Sequence, residues 1–105
     1  MKTHNIEAAS RRLLISAYNR SCKLEPSACA YEFTQFCIKE SIVAKRKPLP
    51  GQALKDWATG SPVPLWGAIG AYTILKLLKY TPKSPEEEQA FKDVELHIQS
   101  KEGAN

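Results

Sequence analysis

The chain has little of what catalysis and metal binding require. It carries two histidines, His4 near its beginning and His97 in its acidic last third. No Ser, Cys or carboxylate is placed by motif to share a proton with either, so no catalytic residue is assigned and the chain reads as a non-enzyme. There is no Cys-x-x-Cys pair, and both histidines stand far from the cysteines, so zinc-type ligand spacing is missing. No metal and no cofactor is expected. Gly67 and Gly70 fall inside a helical pattern with no Lys-Ser/Thr after them, which excludes a phosphate loop. Glu86-Glu87-Glu88 reads as the charged opening of a helix rather than as an acid/base pair.

Long apolar runs are also missing. The uncharged stretch 61–75 contains two prolines and stops at Lys76, short of the roughly 20 residues a membrane span needs. The early apolar patch follows Arg11-Arg12, is broken by Ser16 and has no small-residue cleavage site, so no secretory leader is expected. The cysteines are odd in number: Cys22, Cys29 and Cys37. Cys29 and Cys37, eight apart on one helix, are separated by about 12 Å along its axis, too far for a disulfide. Cys22 can pair with Cys29 only if the intervening turn allows it. The expectation is reduced, buried thiols in a cytoplasmic protein.

What is present is an ordinary globular composition, 43% hydrophobic and 25% charged over 105 residues. That is enough for one domain, 1–105, that buries about two-thirds of its unfolded surface. The net charge of +4 is uneven. Residues 1–83 carry thirteen Lys/Arg against five Asp/Glu, and residues 84–105 two against six. A basic body with an acidic tail helix raises the prospect of an anionic partner.

No alternating strand pattern, internal repeat or low-complexity tract is visible, and the chain reads as all-α. Helix one spans 5–22, with Thr3 or Asn5 as cap and with Arg11, Arg12 and Arg20 facing water. Helix two spans 27–46 on a wide stripe of Cys29, Phe33, Phe36 and Cys37, and Lys45, Arg46 and Lys47 suit its C-terminal dipole. Lys47-Pro48-Leu49-Pro50-Gly51 forces extended backbone, with Leu49 plugging the core. A short helix three, 51–59, ends at Gly60. Helix four, 64–80, is apolar on nearly every side, and Gly67, Gly70 and Ala71 flatten one face for a close neighbour. Ser84-Pro85-Glu86-Glu87 is a capping-box start for helix five, whose narrow stripe of Phe91, Val94 and Ile98 predicts peripheral packing. The expected fold is a compact bundle of about five helices around the apolar helix 64–80, with a candidate helix-turn-helix at 39–59.

That candidate rests on Val43, Ala44, Leu49, Leu54, Trp57 and Gly60, with Pro62 and Pro64 following. In this spacing the segment resembles the core of phage-repressor helix-turn-helix domains of the lambda-repressor and Cro type. It differs from them in Lys47, where the family has leucine, and in Pro48, where it has glycine. The resemblance implies a DNA-binding or transcription-regulatory protein. Gln52 and Lys55, with Ala53 and Asp56, would face the major groove, and Lys45, Arg46 and Lys47 would lie on the phosphates. The rival expectation is a non-enzymatic interaction or inhibitor module of phage or plasmid type. It would act on a protein partner through the Lys-Pro-Leu-Pro-Gly loop and any exposed Trp57 or Trp66, or as a homodimer through the small-residue face of helix four.

Overall fold

The computed structural model describes residues 5–103. It is an all-α bundle of five helices: α1 Ala8–Ser21, α2 Pro26–Lys39, α3 Ala53–Thr59, α4 Leu65–Leu77 and α5 Pro85–Gly103. No strand occurs among the described residues. α1 packs on α3, α4 and α5, and α4 packs on α1, α2 and α5. The expected apolar centre is therefore shared by two helices.

The core is knotted by aromatic rings. Phe33 of α2 is fully buried, with ring centroids 5.0 Å from Tyr18, 6.5 Å from Trp57 and 6.1 Å from Trp66. Trp57 and Trp66 meet edge to face at 5.7 Å, a favoured geometry for paired rings. These rings need room, and α4 supplies it. A Cβ at Gly67 would come 2.9 Å from Trp57, and one at Gly70 would run into Cys37 Sγ and sit 3.2 Å from Phe33. The small-residue face of α4 is thus covered from within by α2 and α3, and is not free to pair two copies of the chain.

Several expectations are corrected. α2 stops at Lys39, not at 46. Ser41 turns left-handed (φ 59°), and the Ile42 and Val43 N–H groups fold back onto Cys37 O, a C-terminal closure of the Schellman kind. The triplet Lys45–Lys47 therefore does not cap this helix. α4 ends at Leu77 and leaves Leu77 67% and Leu78 58% exposed. Glu7, not Asn5, precedes α1, and Thr3 lies outside the described residues. Arg11 is half-buried and donates to Ile6 O (2.7 Å) and Val63 O (3.0 Å), tying the lead-in of α1 to the lead-in of α4. Arg12 is exposed, as expected.

α5 is not peripheral. Ala90, Phe91 and Val94 join the core, and Asp93 and His97 are buried with them. Asp93 accepts from Ser10 at 2.7 Å and from Gln89 at 2.9 Å. At the start of α5 the Glu87 N–H donates to Ser84 Oγ (3.1 Å), the first half of the expected capping box; the Glu87 carboxylate reaches back to Lys83 N–H, one residue before the cap. The Glu87 carboxylate then serves three donors: Lys83 N–H at 2.9 Å, Tyr80 OH at 2.8 Å and Arg20 Nη2 at 2.6 Å.

Burial pushes the Glu87 carboxyl upward, but the Lys83, Tyr80 and Arg20 donors together outweigh it and hold it below its ordinary value of 4.5. A depressed carboxylate stabilises the fold above its unfolded pKa, and that stabilisation disappears as the pH falls through the folded value. Glu87→Gln is accordingly expected to cost about 2 kcal/mol near neutrality. It should cost progressively less below about pH 4.5, where the unfolded carboxyl takes up its proton, until the lower pH at which the folded carboxyl is protonated as well. Urea unfolding of both proteins across pH 2.5–7 measures this; a deficit independent of pH would contradict it.

Candidate interaction surface

The connection from α2 to α3 occupies residues 40–52 and forms a strap along α2. The Leu49 N–H donates to Thr34 Oγ1 at 3.1 Å, and Thr34 Oγ1 donates in turn to Ala30 O at 2.8 Å. Leu49 is buried, the plug its flanking prolines predict. Further on, Gly51 lies against Ser27, where an added Cβ would be 3.1 Å from the serine Cα. The strap thus returns from the C-terminal end of α2 to its first turn, about 18 Å along the axis. α3 begins beside the N-terminus of α2, whereas a helix-turn-helix turn has three or four residues. Val43 and Ala44 lie in the strap rather than at a helix end.

The five residues predicted to contact a partner are all exposed: Lys45, Arg46 and Lys47 on the strap, and Gln52 and Lys55 on and before α3. Trp57 points inward with Leu54. Arg46 stacks its guanidinium 5.1 Å from the centroid of Trp66, a cation–π contact. The outer side of α3 is less basic than the strap. Gln52 Nε2 reaches Asp56 Oδ1 at 3.4 Å, and Asp56 stands exposed beside Lys55.

Where α1, α2 and α3 meet, the structure opens a groove of about 200 Å³. The Asn19 amide fixes one side by donating to Leu54 O at 3.1 Å. Tyr18 OH, donating to Cys29 O at 3.4 Å, fixes another. Burial, with smaller contributions from Cys37 and Glu32, pushes the Tyr18 phenol up to about 12, so it remains a donor throughout the physiological range. Leu24, Pro26 and Leu54 give the groove apolar walls, and Lys55 gives it one cation. Leu24, in the α1–α2 loop, is 54% exposed.

The remaining wall is a disulfide between Cys22 and Cys29, which corrects the expectation of three reduced thiols. The loop 23–25 is short and Pro26 opens α2 immediately, so the C-cap of α1 and the first turn of α2 come within 6.5 Å, Cα to Cα, inside the disulfide range. Cys37 alone is a free thiol, buried and pushed up to about 12 by that burial. A second, more open depression of about 250 Å³ between the end of α4 and α5 is lined by Lys76, Lys92, Glu88 and Glu95 around Tyr80 and Phe91.

Among the described residues, no group of three or more His, Cys, Asp and Glu is placed to hold a metal ion, and no helix is long and apolar enough to cross a membrane. Compared with known proteins, the chain matches no family model, no curated protein and no solved structure.

The strap depends on one hydroxyl. Thr34→Val keeps the shape of the side chain and leaves the Leu49 N–H without an acceptor in a buried position. A loss of about 1–3 kcal/mol is expected, with amide exchange accelerated at Leu49 and not at α5. Thermal unfolding and hydrogen exchange measure both effects; unchanged protection at Leu49 would show that the strap is held by something else.

Proposed function

We propose that this chain is a non-enzymatic binding module that docks an acidic segment of a partner protein, seating one apolar side chain in the groove between α1, α2 and α3. The observation that carries this reading is the groove itself, with apolar walls on three elements and Lys55 as its cation. Its size argues for a side-chain anchor. At about 200 Å³ it falls short of the 300–1,000 Å³ typical of cofactor and small-molecule sites. Exposed Leu24 widens the contact beyond the groove, and the basic surplus of residues 1–83 favours an acidic partner.

Random peptides selected on the wild-type protein, with counter-selection on Lys55→Glu, test the reading. Enriched peptides should carry one large apolar residue flanked by Asp or Glu. In ¹H–¹⁵N spectra they should shift residues 19–29 and 51–55, and Leu24→Ala should weaken them about five- to tenfold. Binders that map elsewhere, or no enrichment over the Lys55→Glu control, would rule the reading out.

A second reading retains duplex DNA as the partner, through the segment that resembles the phage-repressor core. It is favoured by one observation, the joint exposure of Lys45, Arg46, Lys47, Gln52 and Lys55. Phosphate contact by the strap requires affinity that falls steeply with salt. Lys45→Ala combined with Arg46→Ala should then weaken binding of all duplex sequences alike and reduce the salt slope by about two. A mobility-shift titration from low to physiological salt measures this, and no shift at low salt would eliminate the reading.

A further inference from the structure

The geometry points to Cys22 as a thiol-exchange site: a small acidic thiol enters the groove, forms a mixed disulfide with Cys22 and expels Cys29 as the leaving thiol. Both cysteines line the groove and Cys22 is half-buried, so a reagent in the groove meets the bond from its Cys22 side in the folded protein. This property follows from the position of the disulfide and goes beyond the docking reading; it holds whether or not a peptide binds there.

Two helix ends give the exchange its direction. Cys22 is the C-cap of α1, where carbonyls end the helix and disfavour a thiolate. Cys29 is the fourth residue of α2, just inside an N-terminus that favours one. Cys29 is therefore the better leaving group, and the attacked sulfur is the one attached to it. Access agrees, since Cys22 is half-buried while Cys29 is only 7% exposed; that burial, and Leu24 O at 3.3 Å from Cys29 Sγ, oppose a lasting Cys29 thiolate, so Cys29 departs with uptake of a proton. Glu25, the N-cap of α2, opposes the developing charge, but it is exposed and makes no side-chain capping bond. Lys55 lines the same groove and selects thiols that carry carboxylates.

The step balances as ordinary thiol–disulfide exchange. A thiol loses its proton to solvent, and the thiolate attacks Cys22 Sγ. The Sγ–Sγ electron pair passes to Cys29, which takes up a proton from solvent. A second molecule of the thiol then attacks the added sulfur and releases a low-molecular-weight disulfide, leaving Cys22 and Cys29 reduced. Two monothiols are oxidised and one protein disulfide is reduced.

Native protein is incubated with glutathione or with neutral 2-mercaptoethanol, quenched in acid and mapped by mass spectrometry. The adduct is expected on Cys22 in about tenfold excess over Cys29. Cys37, buried and free, should stay unmodified and so report that the fold is intact. Lys55→Ala and Lys55→Gln should slow the reaction with glutathione about threefold and leave that with 2-mercaptoethanol unchanged. Circular dichroism checks that both variants are folded. An adduct mainly on Cys29 would overturn the proposal. So would exchange that occurs only in urea, or equal slowing with the acidic and the neutral thiol.

Discussion

The seat of Phe33 on Gly70 is the contact on which the rest of this structure depends. A glycine inside a helix costs roughly 1 kcal/mol relative to alanine, so Gly67 and Gly70 weaken α4 considered alone. Here the missing side chains let Phe33, Cys37 and Trp57 lie directly on the helix backbone. That close approach brings the rings of four helices together: Tyr18 from α1, Phe33 from α2, Trp57 from α3 and Trp66 from α4. An added methyl at Gly70 would gain helix propensity but meet a sulfur and a ring that are already packed. Overpacking costs of about 1–3 kcal/mol exceed that gain. The knot also fixes the direction of Trp57, and with it which side of α3 faces outward.

Helix identity was legible in the sequence because each helix has a strong local signal. Ser84, Pro85 and Glu87 mark a start, Gly60 an end, and the apolar period fills the intervals. What was not legible is set by distant partners. Nothing local stops α2 at Lys39: no glycine follows it, and proline appears only at position 48. The helix ends because Leu49 must return to Thr34 to be buried, and Ser41 accepts a left-handed conformation to permit it. The burial of α5 was hidden for a related reason. Its apolar stripe is narrow, but Glu87 and Asp93 are buried against the α1 partners Arg20 and Ser10, which sequence periodicity does not reveal. Leu77 and Leu78 fail in the opposite sense, because the apolar pattern runs on past the last neighbour of α4.

The groove could not be read from the sequence for the same reason. Of its lining residues, Lys55 and Gly51 (the end of the Lys-Pro-Leu-Pro-Gly loop) have an expected partner-contact role and Leu54 a place in the helix-turn-helix pattern; Asn19, Leu24 and Pro26 have no distinguishing spacing. They converge because the strap delivers α3 to the first turn of α2, and that path depends on the single hydroxyl of Thr34. The odd cysteine count pointed away from a disulfide, yet the pair left after setting Cys37 apart is the one bridged by the shortest turn. The residues selected from the sequence are indeed exposed, but they are divided between two settings. Arg46 is stacked on Trp66, and Gln52 is engaged with Asp56.

The small size of the disulfide loop determines what the bond does for the fold. In the chain-entropy account, closing a loop of about eight residues stabilises a protein by roughly 2.5 kcal/mol, against about 5–15 kcal/mol for a typical domain. The ends of this loop are also held by other contacts: Asn19 to Leu54 O, and Tyr18 to Cys29 O. The aromatic knot lies beneath them and does not involve either sulfur. Opening the bond therefore frees residues 23–25 and one wall of the groove while the bundle remains assembled. The disulfide shapes a local surface more than it sustains the core, and a bond with that role can open and close within the folded protein.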